Sequence, residues 1–107
     1  ANEKGRQISK PGVSMHDLDD GVMNVLEGSS YKDFIVHKTG HGLGMDVHED
    51  PYIMRKNYEL LEEGMVITIE PGLYRDGYLG IRIEDDVLIT NKGCASLTSF
   101  DRNLRVI

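Results

Sequence analysis

The most chemically suggestive stretch of the chain runs from His37 to His48 and reads H-K-T-G-H-G-L-G-M-D-V-H. It contains three of the four histidines in the 107-residue sequence, and three glycines are interleaved with them. An imidazole titrates near neutral pH and is the side chain that most often binds metals. Because each glycine inside a helix costs about 1 kcal/mol relative to alanine, we predict a strand end or a loop here. A histidine segment of this kind suits metal binding or proton transfer. The alternative is that these are surface histidines beside a glycine-rich turn, with no chemical role.

Two glutamates form a second candidate cluster. Glu70 ends an apolar, β-branched run immediately before a Pro-Gly turn, and Glu84 lies within the next such run. If these runs pair as antiparallel strands, the glutamates face each other, and carboxylates held close together need a counter-charge. Arg82, a shared proton or a metal ion would supply it. With His41 nearby, an imidazole nitrogen and carboxylate oxygens suit Mn, Co, Fe or Zn. The alternative is that both glutamates face solvent, with Glu84 paired to a lysine or arginine.

An amphipathic helix is predicted from Met15 onward. Ser14 and Asp17 resemble a capping arrangement. In such an arrangement an acidic residue in the first turn interacts favourably with the helix dipole. His16 falls off the apolar face, so we expect it to be exposed. A polar segment from Ala1 to Ile8 is consistent with the end of another helix. The predicted apolar stripe comprises Met15, Leu18, Val22, Val25 and Leu26.

Short strands are predicted between turns rich in glycine, proline and asparagine. Side chains alternate between the two faces of a strand, so Arg82, Glu84 and Asp86 would share one face of theirs. The opposite, core-facing side of that strand would carry Ile81, Ile83, Val87 and Ile89. The predicted strands are Tyr31 to Val36, Met65 to Glu70, Ile81 to Ile89, and Ala95 to Thr98, the last pairing back across the preceding turn.

The composition limits the classes of function. With 18 acidic and 12 basic side chains the formal net charge is −6, which argues against a nucleic-acid partner because phosphates require clustered cations. No apolar run is long enough to cross a bilayer, so no membrane partner is expected. Cys94 is the single cysteine and cannot form an internal disulfide, so we expect a reducing, cytoplasmic location. The length suits one domain with a modest core.

Three motifs occur in a fixed order, namely G-H-G-L-G with H-E-D-P, then I-T-I-E-P-G-L-Y, then G-I-R-I-E-D-D-V-L-I-T. From about Pro11 to the end, the chain resembles the C-terminal half of the pita-bread metallopeptidases, which include methionine aminopeptidase, prolidase and Xaa-Pro aminopeptidase. The spacing of His37, His41, Arg82 and Glu84 is similar to the Xaa-Pro branch. The resemblance implies an α+β fold in which residues 1–107 form half of a pita-bread catalytic domain. That half would be a curved, antiparallel-rich sheet with one or two helices on its outer face.

The resemblance also implies a role for each candidate residue. His41 matches the family's metal-binding histidine, and Glu70 matches a glutamate that ligates the same ion and is the usual candidate for a proton shuttle. Glu84 matches the glutamate that bridges two ions, and His48 matches the histidine that holds the substrate carbonyl and the tetrahedral intermediate. The implied chemistry is hydrolysis of the peptide bond before proline by a metal-activated water. The substrate side would be lined by His37, His48 and Arg82.

Part of the family's site has no match in this chain. The family uses two further aspartates from an earlier strand pair, and Asp17, Asp19 and Asp20 lie on the predicted helix and cannot replace them. We therefore expect an incomplete catalytic half that is inactive alone. The complete enzyme would hold two divalent ions, Mn or Co, with Zn or Fe as alternatives, and this chain would bind one weakly or none. Its substrate would be a peptide with proline at the second position.

Several alternatives stay open at this point. We expect the complete enzyme to be a homo-oligomer, and exposed sheet surface in this chain would favour a dimer. Methionine aminopeptidase is a second enzymatic interpretation, and a non-catalytic pita-bread module that holds peptides or proteins is a third. A mononuclear zinc site of His37, His41 and His48 would leave both glutamates unexplained. The native metal, and the choice between aminopeptidase and dipeptidase, are not determined by these residues.

Overall fold

In the computed structural model, which describes residues 1–107, two helices pack against an antiparallel sheet. The helices are α1 (Asn2–Ile8) and α2 (Met15–Glu27), and a 3₁₀ turn follows at Lys32–Phe34. The strands are β1 (Gly40–Gly42), β2 (Glu49–Ile53), β3 (Val66–Ile69), β4 (Gly72–Arg75), β5 (Leu79–Arg82), β6 (Asp85–Ile89) and β7 (Cys94–Ser96). Five strands form one sheet in the order β2-β1-β3-β6-β7, and β4 pairs with β5 in a separate hairpin. Neither helix has the length and apolar character needed to span a lipid bilayer.

The hydrophobic core lies between the helices and one face of the five-stranded sheet. Helix α1 lies close to β3, and the absence of a side chain at Gly5 allows this approach. A Cβ atom on Gly5 would lie only 2.7 Å from Ile69 Cγ2. Alternate residues of β3 point to opposite faces, so Thr68 is on the face away from this core. The candidate site is built on that second face. The core comprises Met15, Leu18, Val22, Met23, Leu26, Ile53, Leu61, Ile67, Ile69, Val87 and Ile89.

The predicted helix is confirmed as α2, but the predicted burial is wrong for Val25 and His16. The Ser14 hydroxyl accepts a hydrogen bond from the Asp17 N–H at 3.0 Å, as the capping pattern predicted. Val25 is 46% exposed, whereas Met23 is only 5% exposed and takes its place in the core. His16 is half-buried rather than exposed, because its ring stacks on Tyr58 at a centroid distance of 4.7 Å.

The predicted strand from Tyr31 to Val36 is wrong. This segment forms the 3₁₀ turn and an extended connection, and it pairs with no other strand. Tyr31 and Val36 are both more than half exposed, so their β propensity has no neighbouring sheet against which to pack.

The predicted strand from Ile81 to Ile89 is divided between two sheets. Its first part is β5, which pairs with β4, and its second part is β6, which pairs with β3. Only Val87 and Ile89 reach the core, whereas Ile81 and Ile83 are partly exposed. The predicted final strand is confirmed as β7, which pairs antiparallel with β6 across the preceding turn.

The β4–β5 hairpin forms one wall of an apolar groove of about 530 Å³. The side chains of Ile81 and Ile83, predicted to be in the core, line this groove instead. Leu26 and Phe34 contribute apolar surface from the helix and the 3₁₀ turn. The chain therefore exposes contiguous apolar surface, and dimerisation through it stays a prediction.

Candidate metal centre

Strand β1 is held so close to its neighbours that two of its three residues must be glycine. A Cβ atom on Gly40 would lie 2.0 Å from the Thr68 carbonyl oxygen, and one on Gly42 would lie 2.2 Å from the Asp50 carbonyl oxygen. These are backbone atoms that cannot move aside. The G-H-G sequence is therefore explained by packing, and the single side chain of this strand is the His41 imidazole.

The His41 imidazole is buried and has a defined orientation. Its Nδ1 atom lies 2.8 Å from the Gly42 carbonyl oxygen. Because a carbonyl only accepts hydrogen bonds, Nδ1 carries a hydrogen and donates it. The Nε2 atom then points to Glu70, with 2.9 Å between Nε2 and Oε1. An imidazole fixed in this way through Nδ1 presents Nε2 as its ligand atom.

Glu70 follows β3 directly and is held by three polar contacts, two of which are hydrogen bonds. Its backbone N–H donates to the Thr39 carbonyl at 2.8 Å, and its Oε1 atom accepts from the Thr68 hydroxyl at 2.9 Å. The third is the Oε1 contact with His41. In the β3–β6 register Ile69 is opposite Asp85, so the next residue, Glu70, is opposite Glu84. The predicted facing arrangement of the two glutamates is thus present in the strand pairing.

Arg82 lies between these two carboxylates. Its Nε atom is 3.8 Å from Glu70 Oε2 and 3.3 Å from Glu84 Oε2. The Glu84 carboxylate raises the pKa of Arg82, and Tyr74 and Glu70 act in the same direction. Arg82 thus provides the counter-charge expected between two carboxylates held close together.

The other two histidines of the segment differ in their surroundings. His48 is exposed, and its ring centroid is 4.4 Å from that of His41. His37 is half-buried, and its Nε2 atom lies 3.0 Å from the Tyr74 hydroxyl. The three histidines are not close enough together to form a common metal-binding group. The structure therefore disfavours the mononuclear zinc site.

Tyr74 is a site residue that sequence reasoning missed. Its ring lies over Gly72 and Gly80, where an added Cβ atom would come within 2.7 Å or less of the tyrosine. Its hydroxyl bonds to His37, and it also contributes to raising the pKa of Arg82. Tyr74 and Gly80 are cross-strand partners, and an aromatic residue opposite a strand glycine is a packing signal available in the sequence.

The predicted ligands fit part of a divalent-cation site. Two lone-pair-bearing atoms, His41 Nε2 and Glu70 Oε1, face each other at 2.9 Å, which requires a proton or a cation between them. Imidazole nitrogen and carboxylate oxygen suit Mn, Co, Fe and Zn. Within the chain, no group of three or more His, Cys, Asp or Glu side chains is close enough to form a full set of ligands. The ligand roles of His41, Glu70 and Glu84 therefore stay predictions.

Comparison with known proteins identifies the family to which this chain belongs. Residues 1–91 match the profile of "Metallopeptidase family M24". The chain belongs to this family. Membership implies divalent metal cofactors, although it does not determine which ions this M24 chain uses.

Relatives of this M24 chain are similar to it over nearly its whole length. The putative dipeptidase YkvY of Bacillus subtilis (strain 168) is 44% identical over 107 residues, which are 100% of this chain and 30% of that protein. The prolidase from Pyrococcus horikoshii OT3 has a TM-score of 0.93 at 40% identity, with 97% of this chain and 30% of the other covered. The X-Pro aminopeptidase from Thermotoga maritima MSB8 has a TM-score of 0.92 at 40% identity, with 99% and 30% covered.

These similarities confirm the predicted α+β, pita-bread-type fold and the family. The chain spans about 30% of the length of the relatives that it matches.

Proposed function

We propose that this chain is the C-terminal half of the catalytic domain of a dinuclear Xaa-Pro peptidase, to which it contributes His41, Glu70 and Glu84 as metal ligands. The observation that carries the proposal is the contact between His41 Nε2 and Glu70 Oε1 in a chain 40% identical to a prolidase. Both side chains are oriented by further hydrogen bonds, as is typical of metal ligands.

His41 and Glu70 would hold one ion, and Glu84 would share in binding both. Mn and Co are the ions we propose, with Zn or Fe as alternatives, because one nitrogen and several carboxylate oxygens make a hard to borderline ligand set. When bound, two such cations lower the pKa of a water molecule and polarise the scissile carbonyl. With only part of the ligand set, this chain is expected to bind one ion weakly or none.

The remaining candidate residues act on the substrate and on protons. Glu70 would take a proton from the attacking water and pass it to the leaving amine, a role that needs a carboxylate beside the metal. The exposed His48 ring, beside His41, is accessible for a hydrogen bond to the substrate carbonyl. His37, whose Nε2 atom contacts the Tyr74 hydroxyl, and Arg82, which lies beside Glu70 and Glu84, would line the side that receives a peptide with proline at the second position. A cytoplasmic location stays a prediction from the single cysteine.

Both an aminopeptidase and a dipeptidase are candidates, because solved structures of each kind are about 40% identical to this chain. The two differ in whether residues follow the proline of the substrate. Methionine aminopeptidase is less well supported, because the relatives reported above are named for dipeptides or for Xaa-Pro substrates.

A chimera tests this proposal. The matching 30% of the Pyrococcus horikoshii prolidase would be replaced by this chain, and the product assayed with Mn²⁺ or Co²⁺ on Ala-Pro, Ala-Pro-Ala and Met-Ala. We expect cleavage of the proline-containing peptides. Glu70→Gln should reduce the rate by roughly 100-fold or more, since general acid–base catalysis contributes factors of that order.

The matched control is Glu63→Gln, the same substitution at an exposed turn residue that precedes β3. It should leave the rate unchanged. A folded chimera that cleaves Met-Ala but not Ala-Pro would contradict the assignment to the Xaa-Pro branch. A folded, metal-loaded chimera that cleaves none of the three peptides would contradict the catalytic role of these residues.

A further inference from the structure

The Thr68 hydroxyl connects the two candidate ligands that are in contact. Thr68 lies on β3 and is only 1% exposed. Its Oγ1 atom is 3.1 Å from the His41 backbone nitrogen and 2.9 Å from Glu70 Oε1. One buried hydroxyl therefore bonds to the backbone of one candidate ligand and to the side chain of the other.

The direction of both hydrogen bonds follows from the chemistry of the groups. The His41 backbone N–H can only donate, so the Thr68 hydroxyl must be its acceptor. The single hydroxyl hydrogen is then free to point to Glu70 Oε1, and an ionised carboxylate can only accept. This arrangement fixes the Glu70 carboxylate relative to the backbone that carries the His41 imidazole. The same oxygen, Oε1, faces His41 Nε2.

Two features make this position well defined. A β-branched side chain has few accessible χ1 rotamers, so the direction of the Thr68 hydroxyl is set by the strand. Gly40 allows β1 to approach β3, because any side chain there would collide with the Thr68 backbone and its Oγ1 atom. A neighbouring buried threonine is different, since the Thr39 hydroxyl is buried without a hydrogen-bond partner. Burial alone therefore does not account for the two bonds of Thr68.

We propose that Thr68 is a positioning residue for the metal centre, whose hydroxyl holds the Glu70 carboxylate against the His41 imidazole so that their ligand atoms converge. The inference rests on the proposed metal role of these two residues. Partners of this kind, bonded to ligands rather than to the metal, typically change metal affinity by about 10- to 100-fold when they are removed.

Three variants of the 107-residue chain separate the hydroxyl from the packing of the side chain. Thr68→Val keeps the shape and removes the hydroxyl, and Thr68→Ser keeps the hydroxyl and removes a methyl group. Thr39→Val is the matched control, because it removes a buried hydroxyl that has no partner. Urea unfolding of each variant, followed by circular dichroism, verifies that it is folded before it is compared.

The first measurement needs no metal. The ¹⁵N chemical shifts of the His41 ring report the contact of Nε2 with Glu70. We expect Thr68→Val to move the Nε2 shift and to speed hydrogen exchange of the His41 amide, which loses its acceptor. Thr68→Ser and Thr39→Val should retain the values of the unsubstituted chain. Unchanged Nε2 shifts and amide exchange in folded Thr68→Val would overturn the proposal.

The second measurement is a titration with Co²⁺, followed by calorimetry and by the visible absorption of the bound ion. We expect Thr68→Val to weaken Co²⁺ binding by about 10-fold or more, with Thr68→Ser restoring most of the affinity. Equal losses in the valine and serine variants would assign the effect to packing and overturn the role of the hydroxyl. An unsubstituted chain that binds no Co²⁺ would agree with the incomplete ligand set expected of this chain, and the ring-nitrogen shifts and amide exchange would then decide the role of Thr68.

Discussion

Replacing Asp85 by asparagine should destabilise the chain strongly at neutral pH and hardly at all in acid. The Asp85 carboxylate is only 2% exposed and sits at the start of β6. Its Oδ2 atom accepts from Arg102 Nε at 2.7 Å, and its Oδ1 atom accepts from the Thr98 hydroxyl at 2.7 Å. Arg6 of α1 lies 3.7 Å away. One buried charge thus ties the first helix and the C-terminal segment to the sheet.

The magnitude follows from the pKa of this carboxyl. Burial by itself raises the pKa of Asp85, but hydrogen bonds from Arg102, Thr98 and Asn2 outweigh burial and lower it from 3.8 to about 2. One unit of pKa shift corresponds to about 1.4 kcal/mol, so the ionised form contributes about 2 kcal/mol to the free energy of unfolding. Since the pKa is lowered on folding, this contribution is fully present above about pH 4 and is lost as the pH falls to about 2.

The assay is urea unfolding followed by circular dichroism at about pH 7 and at about pH 2. With a urea dependence of about 1–3 kcal/mol per molar for a chain of this size, Asp85→Asn should lower the midpoint by about 1 M at neutral pH. Asp86→Asn is the control, because Asp86 is the next residue of the same strand and takes part in no ion pair. An Asp85→Asn midpoint equal to that of the unsubstituted chain at neutral pH, or a deficit that persists in acid, would refute the reasoning.

Two further predictions concern the site. Gly40→Ala should lower the free energy of unfolding by about 1–3 kcal/mol or more, because the new Cβ would lie 2.0 Å from a backbone oxygen. Gly44→Ala should cost far less, since its Cβ would meet only the flexible Glu49 side chain, and equal urea midpoints for the two variants would contradict this account. Titration calorimetry with Mn²⁺ should detect at most one weakly bound equivalent, which Glu70→Gln abolishes. Two tight equivalents would be incompatible with the limited ligand set of this chain.

Several elements were predictable from the sequence because their signals are local. Helix α2 follows from the recurrence of apolar residues at three and four positions and from the Ser14 cap, both of which operate within one or two turns. Strand β3 follows from a β-branched run that ends at Pro71. The prediction that Glu70 and Glu84 lie opposite each other needed only one assumption, that the two strands pair antiparallel. The strands do pair in this way, with Ile69 opposite Asp85, and the same register places Glu70 opposite Glu84.

Other features depended on contacts between distant parts of the chain. The run from Ile81 to Ile89 has a single period in the sequence, yet its pairing is interrupted between β5 and β6, although both parts keep the same antiparallel register with β4 and β3. The segment from Tyr31 to Val36 has strand-forming residues but no partner strand. The β propensity of a segment cannot show whether it forms a strand or with which strand it pairs, since a strand is stabilised by its neighbour in the sheet.

The candidate site divides in the same way. The residue types and order of the histidine segment, the Glu70 motif and the Glu84 motif already determined the family and the candidate ligands. The tertiary structure decided that Arg82 lies between the carboxylates, that Tyr74 bonds to His37, and that the Thr68 hydroxyl joins His41 to Glu70. These contacts link residues up to 37 positions apart, and hydrogen bonds form only within about 3 Å, so their presence depends on how the strands are brought together in the folded chain.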